Sequence, residues 1–145
     1  MKSGSLTQVF LAVSLIAILA VEKSSQNVAQ FGLMIRHTTG RKALDFNKYG
    51  NWCGYGGGGP IVDSIDRCCY NHDKCWADLK RGVCKKYNLL FTTYSWKKRS
   101  NRRLSCTRSW WGSSRCKRAL CECDKACALC FKRENGSYNN SNKHR

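Results

Sequence analysis

The chain reads as a small, mainly α-helical domain stapled by disulfides. Three observations carry that expectation. There are eleven cysteines in 145 residues. Cys68 and Cys75, and again Cys123 and Cys130, are seven apart, which is two helical turns and one helix face. Six glycines crowd residues 50–60, a density that removes both helix and strand propensity and leaves a loop.

The N-terminal segment stands apart from that domain. Lys2 precedes an uncharged, mainly apolar run over residues 9–21 that includes Ala12, Ala17 and Ala20. A basic start, an apolar stretch of this length and small residues near its end describe a secretory signal peptide. It is expected to span 1–20, with cleavage after Ala20 or as late as residue 26. The run falls short of the roughly 20 apolar residues a membrane-spanning helix wants. Export to an oxidising compartment suits the cysteines, because a small chain with a modest core is stabilised there by bridges. Each bridge contributes about 2–4 kcal/mol. The odd count leaves one thiol over, or one intermolecular bond.

The folded domain is expected over 27–133. Val28, Phe31, Met34 and Ile35 fall on one side of a short amphipathic helix that Thr38-Thr39-Gly40 ends. A helix over 63–80 follows the glycine loop, with Asp63 as N-cap, Asp66 in the first turn and Gly82 just past the end. Residues 89–96 and 104–111, rich in Phe, Thr, Tyr and Trp, read as two strands joined by a basic turn over 97–103, a β-wing. Residues 117–131 form a second long helix. Residues 134–145 read as a polar, flexible tail carrying two glycosylation sequons, Asn135-Gly136-Ser137 and Asn139-Asn140-Ser141.

The formal net charge is +17. Leaving out residues 1–26, with Lys2 and Lys23 against Glu22, lowers it by one to about +16. Such a field attracts anionic lipid head groups or sulfated glycans. Export and the broad spread of the basic residues argue against nucleic acid.

Two long antiparallel helices can carry the rungs Cys68–Cys130 and Cys75–Cys123, although spacing alone does not choose the pairing. His72 and Asp124 then lie on facing surfaces beside those rungs. Histidine is the side chain whose ordinary titration range suits proton abstraction at neutral pH, and Asp124 is placed to fix its tautomer. Asp73 is the next residue, but adjacent helical side chains diverge by about 100°, so it is expected to face the glycine loop. A carboxylate facing backbone carbonyls is the hard-oxygen set that Ca²⁺ takes. The loop lacks the Lys-Ser/Thr ending of a phosphate-binding P-loop.

Tyr49-Gly50-Asn51-Trp52-Cys53-Gly54-Tyr55-Gly56-Gly57 and Asp66-Arg67-Cys68-Cys69-Tyr70-Asn71-His72-Asp73-Lys74-Cys75 resemble the calcium loop and catalytic helix of secreted phospholipases A2. Cys121-Glu122-Cys123-Asp124-Lys125 resembles that family's third helix, and Gln30-Phe31-Gly32-Leu33-Met34-Ile35 its interfacial N-terminal helix. The resemblance covers about residues 27–133. It implies Ca²⁺ held by the carbonyls of Trp52, Gly54 and Gly56 and the Asp73 carboxylate. It also implies His72 as general base, Asp124 as its orienting partner and the Gly54 amide at the oxyanion. Tyr94 matches a tyrosine that bonds the aspartate. Apart from the resemblance, Val28, Phe31, Trp110 and Trp111 are read as apolar interfacial side chains that help the basic surface dock on a membrane. The implied bridges are Cys53–Cys69, Cys68–Cys130, Cys75–Cys123, Cys84–Cys116 and Cys106–Cys121.

The chain departs from the pattern in places. Asn51 stands where most relatives have a cysteine, His37 replaces another, and Trp76 sits where a tyrosine is usual; its indole N–H can still donate to Asp124. Cys127 is left unpaired and is read as a small buried residue. A covalent dimer is the alternative, and a Cys127–His72 nucleophilic pair would leave the calcium loop without purpose. The expected function is calcium-dependent hydrolysis of the sn-2 ester of glycerophospholipids at anionic membranes. The rival is a catalytically weak relative that binds or disrupts membranes, or binds polyanions.

Overall fold

The computed structural model describes residues 26–109 and 114–144; the expected signal segment and Trp110 and Trp111 lie outside them. Helix α1, Gln26–Thr39, buries Met34, Ile35 and Thr38. Gly40 ends it at φ +80°, donating its N–H to Arg36 O at 3.0 Å. Val28 is not on the buried face: it is 57% exposed, and Asn27 is buried in its stead. A one-turn helix α2, Ala43–Phe46, follows and stacks Phe46 on Phe131 at 4.1 Å.

Helix α3, Ser64–Arg81, is capped as its sequence suggests. Asp63 accepts from Asp66 N–H at 2.8 Å, and Gly82 N–H closes the last turn on Asp78 O and Leu79 O. Helix α4, Ser114–Glu134, runs antiparallel to α3, as the bridges Cys68–Cys130 and Cys75–Cys123 require. Cys53–Cys69 ties the glycine loop to α3, Cys84–Cys116 ties the segment just past the end of α3 to α4, and Cys106–Cys121 fastens the hairpin to α4. Cys127 is a free, buried thiol. Leu120, Ala128, Phe131, Ile65 and Met34 fill the space between α1, α3 and α4.

The hairpin is displaced from its expected register. Strands β1, Ser95–Arg99, and β2, Arg103–Thr107, pair antiparallel with Trp96 opposite Cys106 and Lys98 opposite Leu104. The basic residues expected in a turn therefore sit in the strands. The actual turn is centred on Asn101 and Arg102, both at positive φ (55° and 53°), the handedness a tight hairpin needs. Residues 89–94 are not a strand, because α1 side chains take the backbone groups a partner strand would. Asn27 Nδ2 donates to Leu89 O and Thr92 O, and Gln30 both donates to Tyr94 O (2.7 Å) and accepts from Tyr94 N–H (3.2 Å).

The expected flexible tail is corrected as well. After α4 the chain makes two 3₁₀ turns, Asn135–Ser137 and Asn140–Asn142, and folds back over the start of the glycine loop. Lys143 forms an antiparallel bridge with Tyr49, Gly50 N–H donates to Asn142 O at 2.7 Å, and His144 N–H donates to Lys48 O at 2.9 Å. Tyr138 lies against Phe46 and Tyr49, takes the Arg41 guanidinium over its ring at 4.1 Å and donates its hydroxyl to Asp45 O. Polar composition concealed this, because the docking is made by one aromatic ring and backbone pairing. Tyr138→Ala is expected to lower the unfolding free energy by about 2–3 kcal/mol, somewhat less than for a fully buried aromatic. Urea unfolding checks it; a change within about 0.5 kcal/mol, as at an ordinary surface position, would mean the tail is not part of the packed structure.

Candidate active site

Two stripes on α3 separate its two tasks. Asp66, Cys69, Tyr70 and Asp73 follow i, i+3, i+4 and i+7 spacing and share one face. That face meets the glycine loop: Asp66 Oδ1 accepts from Trp52 N–H at 2.7 Å, Cys69 is bonded to Cys53, and Tyr70 packs edge-on against Trp52 at 4.8 Å. Gly50 is required beneath this contact. At φ +58° it presses so close that a Cβ would lie 2.4 Å from the Asp66 carboxyl carbon. The second stripe, Cys68, His72, Cys75 and Trp76, faces α4.

At the centre of that second stripe is Asp124, fully buried. Its Oδ1 accepts from Trp76 Nε1–H at 2.9 Å and meets His72 Nε2 at 2.7 Å; its Oδ2 accepts from Tyr94 Oη–H at 2.5 Å. A carboxylate that accepts from two other donors is an acceptor toward the imidazole also, which puts the ring proton on Nε2 and leaves Nδ1 as a lone pair. The His72 side chain is only 11% exposed. Phe31 stacks on its ring at 4.6 Å with 16° between planes, and Trp76 flanks it at 5.1 Å. The imidazole is thus fixed in both tautomer and rotation. Burial, then the Asp124 charge and the hydrogen bond to it, hold the Tyr94 hydroxyl far above its ordinary pKa, so it remains a donor.

Asp73, one residue on, is half-buried and makes no hydrogen bond among the described residues. Burial raises its pKa, with the neighbouring His72 opposing. Across from its face, the loop carbonyls divide. Asn51 O accepts from Gly58 N–H at 2.9 Å and Cys53 O from Lys48 N–H at 2.8 Å. Trp52 O, Gly54 O and Gly56 O accept nothing from the described residues, and Gly54 N–H donates to none. Positive φ at Gly54 (126°), Gly56 (78°) and Gly59 (98°) makes this curl, and Gly57 packs so tightly that a Cβ would meet Trp52 O at 2.8 Å. Among the described residues no group of three His, Cys, Asp or Glu side chains could hold a metal. A cation there would need those carbonyls.

The other expected site residues are distributed unevenly. Phe31, expected at the docking surface, lies on His72 and lines the site. Leu33, in the middle of α1, is 54% exposed. Tyr94 and Trp76 are both bonded to Asp124. His37 meets Arg103 O at 3.2 Å, and Asn51 Nδ2 donates to Pro60 O at 2.7 Å, so both residues standing in cysteine positions hold backbone. Cys127, one turn beyond Asp124 on α4, is fully enclosed; burial first, then the charges of Asp124 and Asp73, raise its thiol pKa well above the ordinary value. No helix among the described residues is long and apolar enough to cross a membrane.

Fold and site together define a small, disulfide-stapled helical domain organised on a buried histidine–aspartate pair. The profile of the family described as phospholipase A2 matches residues 28–143. The human group IIE secretory phospholipase A2 is 42% identical over 120 residues, covering 81% of this chain and 78% of its own length. The human membrane-associated phospholipase A2 is 37% identical over 140 residues, covering 92% of each. The A2-hormotoxin-Apt1a phospholipase A2 of Adamsia palliata is 39% identical over 120 residues, 79% of this chain and 73% of its own. The chain belongs to the phospholipase A2 family of hydrolases.

Two expectations follow from the buried groups. Tyr94→Phe leaves Asp124 Oδ2 without a donor, and loss of a hydrogen bond to a charged group costs about 1.5–3 kcal/mol; denaturant unfolding measures it, and a loss under about 0.5 kcal/mol contradicts the network. Cys127 is expected to resist alkylation by iodoacetamide in the native protein at pH 8 and to react once guanidinium unfolds it. Comparable native and unfolded labelling, read by mass, would show that the thiol is accessible.

Proposed function

We propose that this chain is an exported, calcium-dependent phospholipase A2 that hydrolyses the sn-2 ester of glycerophospholipids at anionic membrane surfaces. The observation that carries the reading is His72: its Nε2 is engaged by a buried, three-donor Asp124, while the next residue, Asp73, lies on the α3 face that meets a loop whose Trp52, Gly54 and Gly56 carbonyls accept nothing from the described residues. The donor set fits Ca²⁺, a cation that takes carboxylate and carbonyl oxygens. Trp52 O, Gly54 O, Gly56 O and the unpartnered Asp73 carboxylate would hold it. Bound there, Ca²⁺ supplies Lewis-acid stabilisation of negative charge developing on the ester oxygen.

The chain's own residues account for the remaining steps. Nδ1 of His72 takes a proton from a water as the water oxygen attacks the ester carbonyl carbon. Asp124 stabilises the imidazolium so formed and prevents the ring from turning. The Gly54 N–H is available to donate to the oxyanion, an interaction of the kind worth about 2.7–4 kcal/mol. His72 then returns its proton to the departing alkoxide, which leaves as the lysophospholipid alcohol. Phe31 over the imidazole excludes bulk water from that side.

Docking draws on two features. Val28 and Leu33 offer apolar side chains on α1, more than half exposed. Lys97, Lys98, Arg99, Arg102 and Arg103 cluster on the hairpin, exposed and making no salt bridge among the described residues. Apolar insertion plus electrostatic attraction is how peripheral proteins hold anionic bilayers, and sulfated glycans are a second class of polyanion for the same surface. The secretory names of relatives and the apolar segment over residues 9–21 support export.

Fatty-acid release from anionic phospholipid vesicles tests the reading. Release is expected with Ca²⁺ and to vanish with chelator. His72→Gln is expected to lower it by at least about 10²-fold, the scale of a lost general base, while vesicle binding by sedimentation persists. Equal rates with and without chelator would sink the calcium mechanism. Membrane leakage that survives His72→Gln unchanged would favour the non-enzymatic, membrane-disrupting alternative.

A further inference from the structure

The two sequons near the C-terminus have different surroundings, although the sequence gives them equal standing. Asn135 is partly buried between the ends of α1 and α4, and both ends of its amide are used. Its Oδ1 accepts from Arg41 Nε–H at 2.8 Å, and its Nδ2 donates to Thr39 O at 3.2 Å. A sugar on that nitrogen would replace one of its two hydrogens inside the α1–α4 junction. It would meet the Thr39 carbonyl and the Arg41 side chain that packs over Tyr138.

Asn139 presents the opposite arrangement. It is exposed. Its Oδ1 accepts from Ser141 N–H at 3.0 Å, the local turn that brings the third residue of the sequon back onto the asparagine side chain. Its Nδ2 makes no hydrogen bond among the described residues. The backbone beneath is held by Asn139 N–H donating to Tyr49 Oη at 3.1 Å, so the side chain is directed by the folded tail and not by a loose end. Asn140 and Ser141, the rest of the sequon, are exposed too.

We infer that Asn139 is the glycan-bearing residue of this protein and that Asn135 is a structural asparagine left unmodified. The inference rests on export as proposed above, since the glycan donor, a lipid-diphosphate-linked oligosaccharide, is met in the secretory pathway. In the transfer, Asn139 Nδ2 bonds to C1 of the first sugar and gives up one proton to a base of the glycan-transferring enzyme. The C1–O bond to the diphosphate breaks, and the lipid diphosphate departs with its electron pair. The path of contacts from Asn139 to His72 is indirect. Asn139 reaches Tyr49 Oη, which donates to Asp63 Oδ2, and Asp63 caps α3 nine residues before His72. At ~1.5 Å per residue that is roughly 13 Å along the helix axis.

The full chain, secreted from cultured eukaryotic cells, tests this. Peptide-N-glycosidase treatment is expected to lower its mass by one glycan and to leave aspartate in place of asparagine at 139 alone, located by peptide mass spectrometry. Asn139→Gln is expected to secrete without a glycan, and Asn135→Gln to keep it. Because Asn135→Gln also removes structural hydrogen bonds and could impair secretion, Ser137→Ala and Ser141→Ala break each sequon while leaving both asparagines in place. Secreted wild type carrying a glycan at 135, or none at all, overturns the inference while leaving export intact. Retention of an unglycosylated, uncleaved chain inside the cell overturns export, and the inference with it.

Discussion

Everything near the site depends on a carboxylate that has no access to water. Burying an ionised group is costly unless it is fully hydrogen-bonded, and Asp124 meets that condition only through donors from separate parts of the chain. His72 and Trp76 come from α3, one turn apart, and Tyr94 comes from the segment before β1. Each donor has its own restraint. The Cys75–Cys123 bridge lies beside the α3 pair, and Gln30 of α1 holds Tyr94 by both its N–H and its carbonyl. The first helix therefore reaches the aspartate through Tyr94 and the histidine through Phe31. A single buried charge links three helices and the hairpin into one arrangement.

The disulfides and the tail divide the remaining work. Two bridges join α3 to α4, and Cys53–Cys69 brings the glycine loop to the Asp73 face of α3. Asn51 forms no bridge, yet its neighbourhood is not loose. The Asn51 amide holds Pro60 O, while Asn142 takes Gly50 N–H on its carbonyl and donates Nδ2 to Asp63 at 2.7 Å. Tyr49 donates to the same Asp63 oxygen at 2.5 Å. A typical hydrogen bond contributes about 0.5–1.5 kcal/mol against about 2–4 for a disulfide. Several such bonds, with the Tyr138 packing, supply a restraint of similar size at the base of the loop.

The helical half of the design was legible because cysteine spacing, caps and periodicity are local signals. Cys68 with Cys75 and Cys123 with Cys130 made an antiparallel register of α3 on α4 possible, and the bridges Cys68–Cys130 and Cys75–Cys123 are the ones that form. Asp63 and Gly82 marked the limits of α3, and His72 against Asp124 followed from the same register. What escaped was set by contacts between distant segments. Residues 89–94 are rich in strand formers, but Asn27 and Gln30, more than 60 positions earlier in sequence, occupy their backbone groups. The tail looked solvated because its docking uses Tyr138 and main-chain atoms. The Lys and Arg of β1 looked like a turn, although Lys97, Lys98 and Arg99 are exposed in the strand and so carry their charge without burying it.

The same local field also decides which of two potential nucleophilic chemistries this pocket supports. Cys127 is one turn from Asp124, near enough to the site for a thiol–imidazole pair to be conceivable from sequence. A thiolate there would be created in a dry environment and between two carboxylates, and both effects oppose it. Asp124 acts differently on His72: its Oδ1, 2.7 Å from Nε2, fixes the orientation of the imidazole. Burial first, reinforced by Asp124, keeps the thiol protonated and inert, while the same carboxylate holds the histidine 2.7 Å away. Cys127 can be a small apolar filler between the rungs because burial first, and the charges of Asp124 and Asp73 after it, make its ionisation so unfavourable.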